Sequence, residues 1–241
     1  MTAHPFKPIL LDLLHQAHLA QDAFLQELNP TEYTAMGEPD YWSAKDHVAH
    51  VTFWCQRLVL KLAAILHHET PPGAEDFERL NPVVFEEQRE RPWSEVLAES
   101  EQVYTALITH VEQLTEEDLT AFNRFDWIPD GWPLYTAFMG NCYEHAEQHL
   151  VQYYLDRHDA TRATYVYESW ARRVVHTEAP EFLKGYVLYN LACFYATHAQ
   201  LEKASTTLQQ ALTLAPQFKE LSLTDPDLIP LRHQSEEGLV Q

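Results

Sequence analysis

The chain has 241 residues, 46% hydrophobic and 22% charged, proportions that exclude a wholly disordered or collagen-like polymer and allow a sizeable core. Its 36 acidic against 16 basic residues leave a net charge of −20, which repels phosphate backbones and anionic lipid, so nucleic acid is not an expected partner. Cys55, Cys142 and Cys193 are odd in number and far apart, as reduced thiols would be; no run approaches the ~18 consecutive apolar residues of a membrane span, and the first eight residues lack the order of a signal peptide. The expected location is the cytoplasm, with no membrane contact.

Few glycines and no β-alternation point to an all-α chain. Charge divides it: residues 1–159 carry nearly all of the negative excess, and residues 160–241 are close to balanced. The polar tract from Asp156 to Thr161 is the expected boundary, with Asp159 or Thr161 capping the next helix.

The first unit, 1–159, reads as four long helices. Pro8 suits a first helical turn; Ile9, Leu11, Leu13, Leu14, Leu19, Phe24, Leu25 and Leu28 supply an apolar side before Asn29-Pro30. Ser43-Ala-Lys-Asp46 resembles a capping box, and the second helix runs from there to about Glu69, ahead of Pro71-Pro72-Gly73. A loop containing Asn81-Pro82 and Phe85-Glu86-Glu87 leads to Pro92-Trp93-Ser94. The third helix comes next, with Val96, Val103, Leu107, Val111 and Leu114 stepping by three or four residues. After a turn at Thr115–Asp118 and the Asp130-Gly131-Trp132-Pro133 punctuation, Leu134 to about Tyr154 is the fourth. Unequal connections suggest a bundle with a crossover.

The second unit, 160–241, opens with an irregular helix from Arg162 to His176. Leu188, Leu191, Ala192, Tyr195, Ala204, Leu208, Ala211 and Pro216 then occupy the marker positions of a tetratricopeptide repeat. Small residues at Ala192, Ala204 and Ala211 let two helices approach closely, and Pro216 ends the second of them. Asp225 to Arg232 resembles the cap after the last repeat of such arrays. The segment is an expected protein-interaction hairpin, and dimerisation is a further expectation.

Eleven of the 14 histidines lie in the first unit. Phe138, Cys142, His145, His149 and Gln152 share one sector of the fourth helix, which should face the bundle interior. His50 shares a side of the second helix with Trp54 and can reach the same axis. Three neutral imidazoles around a divalent ion leave a position open for water, the arrangement of a catalytic site. His47, three residues before His50, is an alternative ligand or else a partly exposed neighbour, and Cys142 reads better as a small core residue. Asp46 and Glu144 read as caps or solvated charges, and no catalytic base is assigned. His67 and His68 are expected to meet C-terminal carbonyls. Trp93, Phe125, Trp127 and Trp132 are candidates for a pocket mouth.

The stretch from Trp42 to Trp54, with Tyr143-Glu-His145-Ala-Glu-Gln-His149, resembles the DinB/YfiT-like superfamily over about residues 8–157. Within it the Lys45-Asp46-x-x-Ala49-His50 helix, the Asn81-x3-Phe85 segment and Trp93-Ser94-Glu95-Val96 resemble the ClbS/DfsB branch. Membership implies a four-helix bundle with a crossover and, in many members, Ni, Zn or Fe held by one histidine of the second helix and two of the fourth, matching His50, His145 and His149. It implies thiol-dependent transfer or hydrolysis of a small reactive compound, or, in a metal-free ClbS-like member, binding and sequestration.

Overall fold

The computed structural model describes residues 5–73 and 76–238. It is all-α among those residues, apart from one isolated bridge between Glu38 and Tyr41. The helices are α1 (Lys7–Glu27), α2 (Pro30–Thr34), α3 (Ala44–Leu66), α4 (Phe77–Gln88), α5 (Trp93–Gln113), α6 (Glu116–Thr120), α7 (Tyr135–Phe138), α8 (Glu144–Asp156), α9 (Ala160–Val175), α10 (Glu181–Thr197), α11 (Leu201–Leu214), α12 (Lys219–Thr224) and α13 (Ile229–Gly238). Two compact units, Met1–Val166 and Tyr167–Gln241, divide within α9.

The first unit is a four-helix bundle. α3 packs against α5 and α8, and α1 packs against the same two, so the order around the bundle is α1, α5, α3, α8. α1 and α3, consecutive long helices in the chain, therefore face each other across a diagonal, which is the crossover. The start of α3 is set by a capping box. Asp46 Oδ2 accepts from the Ser43 amide at 2.8 Å and the Ser43 hydroxyl at 2.6 Å, and Ser43 Oγ accepts from the Asp46 amide. Gly37 is pressed against this cap so closely that a Cβ there would collide with Asp46 Oδ2, which leaves no room for any other residue. Lys45, also buried, donates to the carbonyls of Arg89 and Arg91 and ties the start of α3 to the α4–α5 turn.

α3 is long and apolar enough to cross a membrane by length and composition alone, yet 61% of its most apolar stretch is buried inside the protein. Every residue from Ala44 to Thr52 is buried, as befits the central helix of a bundle. Its far end closes through the backbone, not through imidazoles. The amides of His67, His68 and Glu69 donate to the carbonyls of Ala63, Ile65 and Ala64, with His68 in the left-handed conformation at φ 58°.

Three local features differ from the sequence expectation. In α1 the buried set is Leu10, Leu13, Leu14, Ala17 and Phe24, while Leu19 is exposed. The Asn81-Pro82 segment, expected as loop, is α4. Asp76 caps it, and burying Val84 and Phe85 outweighs the backbone bond that Pro82 cannot make. The fourth bundle helix is not continuous: Met139–Tyr143 forms a π turn between α7 and α8, with the Glu144 amide donating to the Met139 carbonyl.

In the second unit, α10 and α11 form a tight antiparallel hairpin in which Ala192, Ala204 and Ala211 are fully buried. Tyr167 stacks on Phe194 with ring centres 4.4 Å apart, and Tyr195 donates to Glu168. Asp159 caps α9 by accepting from the Arg162 amide at 2.9 Å. The division between units falls later than the Asp156–Thr161 tract because the first turns of α9 belong to the bundle: Ala163 is fully buried, and Arg162 pairs with Glu27 and lies over the Tyr154 ring.

Candidate metal centre

The site is built where α3 faces α8. His50 comes from the second turn of α3, and His145 and His149 project one turn apart from α8. One nitrogen of each lies within 4.8 Å of one nitrogen of the other two. His145 Nε2 and His149 Nε2 are 3.1 Å apart, close to the roughly 3.3 Å edge of a tetrahedron with ligand bonds of about 2.0 Å. His50 is buried, and its Nδ1 has no hydrogen-bonding partner. A donor set of three imidazoles, one of them with an unpartnered buried nitrogen, fits a divalent ion of the borderline class.

The π turn shapes this site. Its hydrogen bond spans five residues where that of an α-helix spans four, so residues before and after it do not keep one helical phase. Phe138 and Cys142 are buried, His145 and His149 half-buried, and Gln152, expected to face inward, is exposed and donates to Asp156. The Asn141 carbonyl, within the turn, accepts from Cys55 Sγ at 3.0 Å and lies 3.4 Å from His145 Nδ1. It therefore aims His145 Nε2 toward His149, as an outer-shell carbonyl does for a metal-bound histidine.

His47 is neither partly exposed nor part of the convergent set. It is buried at 2% exposure, and its Nδ1 lies 2.9 Å from His149 Nδ1. Trp42, just before the cap of α3, lies against the rings of His47, His50 and His149. It stacks on His149 (5.7 Å, 8° between planes) and on Phe85 (5.6 Å, 17°), with its centre 5.0 Å from His50. Arg157 holds the Trp42 carbonyl at 3.3 Å. Sequence reasoning passes over Trp42, although an aromatic residue immediately before a capping box is a usable signal.

Burial keeps these imidazoles neutral. It pushes His47 and His50 down to about 3 and His145 to about 4, and holds His149 well below its ordinary value. Arg157 and His50 depress His47 further; His145 depresses both His50 and His149, while the Asn141 carbonyl partly offsets the effect on His145. With one proton per ring and no ion between them, a hydrogen bond at every one of these contacts requires one assignment. His145 Nδ1 donates to Asn141, so its Nε2 accepts from His149 Nε2, whose Nδ1 in turn accepts from His47 Nδ1.

This burial makes stability depend on pH. The unfolded chain takes up protons near the ordinary histidine value of 6.5, while the folded one refuses them until pH 3 to 4. The folded values are depressed, so this stabilisation is complete above pH 6.5 and is lost as pH falls toward the folded values. Each such imidazole removes about 2 kcal/mol by pH 5. Thermal unfolding of chelator-treated protein should show a clear fall in Tm from pH 7 to pH 5, a window in which carboxylates contribute little; an unchanged Tm would contradict it.

Other expected site residues lie elsewhere. Cys142 is a core residue whose thiol is pushed up by burial and by Cys55. Asp46 is the cap of α3, and Glu144 is buried and accepts from Gln148. Phe125 and Trp127, with Ile65 and Leu66, line a cavity of about 1180 Å³ toward the other end of α3; the helical rise from His50 to Ile65 is roughly 22 Å. Trp93 stacks on Tyr33 instead. A second group, Cys193, Asp225 and Asp227, brings donor atoms within 4.8 Å, but the Asp225 carboxylate already accepts from the Tyr189 hydroxyl and the Asp227 amide.

The bundle, its crossover and the histidines on α3 and α8 can be set beside known proteins. The model of the DinB superfamily matches residues 13–153, which span the bundle and all of these histidines. The chain belongs to the DinB superfamily. Proteins of this superfamily are often metal-binding. No curated protein and no solved structure matches the chain.

Proposed function

We propose that this DinB-superfamily chain is a metal-dependent hydrolase or thiol-dependent transferase acting on a small reactive compound, with Ni, Zn or Fe held by His50, His145 and His149. The observation that carries this reading is the convergence of three imidazoles, all neutral at physiological pH and so ready to donate lone pairs, within 4.8 Å. When bound, such an ion lowers the pKa of a water or thiol toward neutrality. The chain's own residues do the rest: the Asn141 carbonyl orients His145, and Trp42, backed by Phe85, packs over His50 and His149.

A second reading, a metal-free ClbS-like binding or sequestering protein, draws on the continuous hydrogen-bond chain from His47 to Asn141, which satisfies most of the site without an ion. On either reading the α10–α11 hairpin serves as a tetratricopeptide-like surface for a protein partner; its buried alanines support the repeat-like packing of the two helices. Elemental analysis of untagged protein separates the two readings. Near-stoichiometric Ni, Zn or Fe is expected; absence of metal after incubation with each ion would overturn the metal-dependent reading in favour of sequestration.

A further inference from the structure

We infer that His47 is a positioning residue for the candidate metal centre, accepting the Nδ1 proton of His149 when an ion is bound and so aiming His149 Nε2 at it. The inference rests on the metal-dependent reading above and goes beyond it by assigning a residue outside the ligand set.

The geometry is specific. His149 presents Nε2 to His145 Nε2 at 3.1 Å and Nδ1 to His47 Nδ1 at 2.9 Å, so its two nitrogens are committed to opposite neighbours. An imidazole that gives Nε2 to an ion must carry its proton on Nδ1. The group facing that proton then has to be an acceptor. His47 Nδ1 is the group in place, and accepting there puts the proton of His47 on Nε2. Without an ion the bond runs the other way, because the Asn141 carbonyl fixes His145 as donor at Nδ1 and the sequence of donors ends on His47. Loading therefore reverses the His47–His149 hydrogen bond. The proton of His149 moves from Nε2 to Nδ1 and that of His47 from Nδ1 to Nε2, exchanging through water with no net gain or loss.

His47 is itself held rigidly. It lies 2% exposed, with Trp42 on one side (ring centres 5.4 Å apart) and the Tyr153 ring on another (6.0 Å, 79° between planes). Its Nε2 is buried with no hydrogen-bonding partner. The Trp42 ring packs against both His47 and His149, so packing and the hydrogen bond act on His149 together.

The test uses Zn²⁺ as the probe. Imidazole nitrogen NMR of the full chain should place the His47 proton on Nδ1 without metal and on Nε2 with Zn²⁺, with His149 changing in the opposite sense. His47→Asn, which offers a carbonyl oxygen near the position of Nδ1, should bind Zn²⁺ within a few-fold of the unsubstituted chain. His47→Leu should bind it about 10–100-fold more weakly at unchanged helix content. Zn²⁺ affinity of His47→Leu equal to that of the unsubstituted chain, or a His47 proton that stays on Nδ1 in the loaded protein, would overturn the role of His47 alone. Failure of the unsubstituted chain to bind Zn²⁺ would overturn the metal reading and this inference with it.

Discussion

Replacing His145 and His149 together by alanine is expected to weaken metal binding by at least about 10³-fold while leaving the helical bundle intact. Two of three ligands are lost, and the remaining imidazole of His50 cannot hold an ion by itself against water. The fold should tolerate the change because both side chains are only half-buried and the core around them is carried by residues of α7 and the π turn: Tyr135, Phe138, Met139 and Tyr143 are fully buried. The truncation costs about 1–2 kcal/mol at pH 7, the ordinary range for a side chain that leaves a small void. At pH 5 the variant should lose less stability than the unsubstituted chain, since two imidazoles that resist protonation are gone. Elemental analysis and thermal unfolding at both pH values check this. Metal retained at the level of the unsubstituted chain would assign it to the other histidines; a cold-labile or unfolded variant would show that the pair holds the bundle together.

The parts of this chain legible from sequence are those set by local rules. Ser43 and Asp46 announce the start of α3, Asp159 caps α9, and Pro216 stands just beyond Leu214, where α11 ends. His50, His145 and His149 are legible as a set because a helical face repeats every three or four residues and the family resemblance points to the same three. The features that escape depend on long-range packing. Pro82 argues against a helix, and only the burial of Val84 and Phe85 in the tertiary structure overrides it. Nothing local marks the π turn at Met139–Tyr143, so a continuous-helix wheel puts Gln152 on the inside. His47 looks peripheral if α3 has a solvent face at its start, whereas Lys45, Asp46 and His47 are all buried there. α1 fails differently: its apolar residues cover too wide an arc for periodicity to choose between Leu10 and Leu19, and contact with α5 and α8 makes that choice.

The second unit is expected to be destabilised by a single methyl group. A Cβ on Gly185 would collide with Ala215 Cβ and lie 3.0 Å from the Ala215 nitrogen and 3.1 Å from the Ala211 carbonyl oxygen. These atoms belong to backbone or to a residue with no rotamers, so nothing can swing aside and α10 and α11 must separate. Two opposing effects decide the sign. Alanine is the better helix former by about 1 kcal/mol in a helix interior, whereas overpacking costs typically about 1–3 kcal/mol and more when backbone has to move. A collision with a methyl that cannot rotate, with backbone beside it, puts Gly185→Ala beyond compensation, at a net loss of about 2 kcal/mol, and Gly185→Leu at more than about 3 kcal/mol. Separation also loosens what the hairpin aligns: Ala192, Ala204 and Ala211 lose their close contact, the Phe182–Phe218 stack at 5.5 Å opens, and the Tyr189 hydroxyl is drawn from Asp225. Thermal unfolding of the full chain should show the lower Tm for Ala and a further drop for Leu. An alanine variant as stable as the glycine chain would mean that helix propensity outweighs the contact and that α11 can shift without cost.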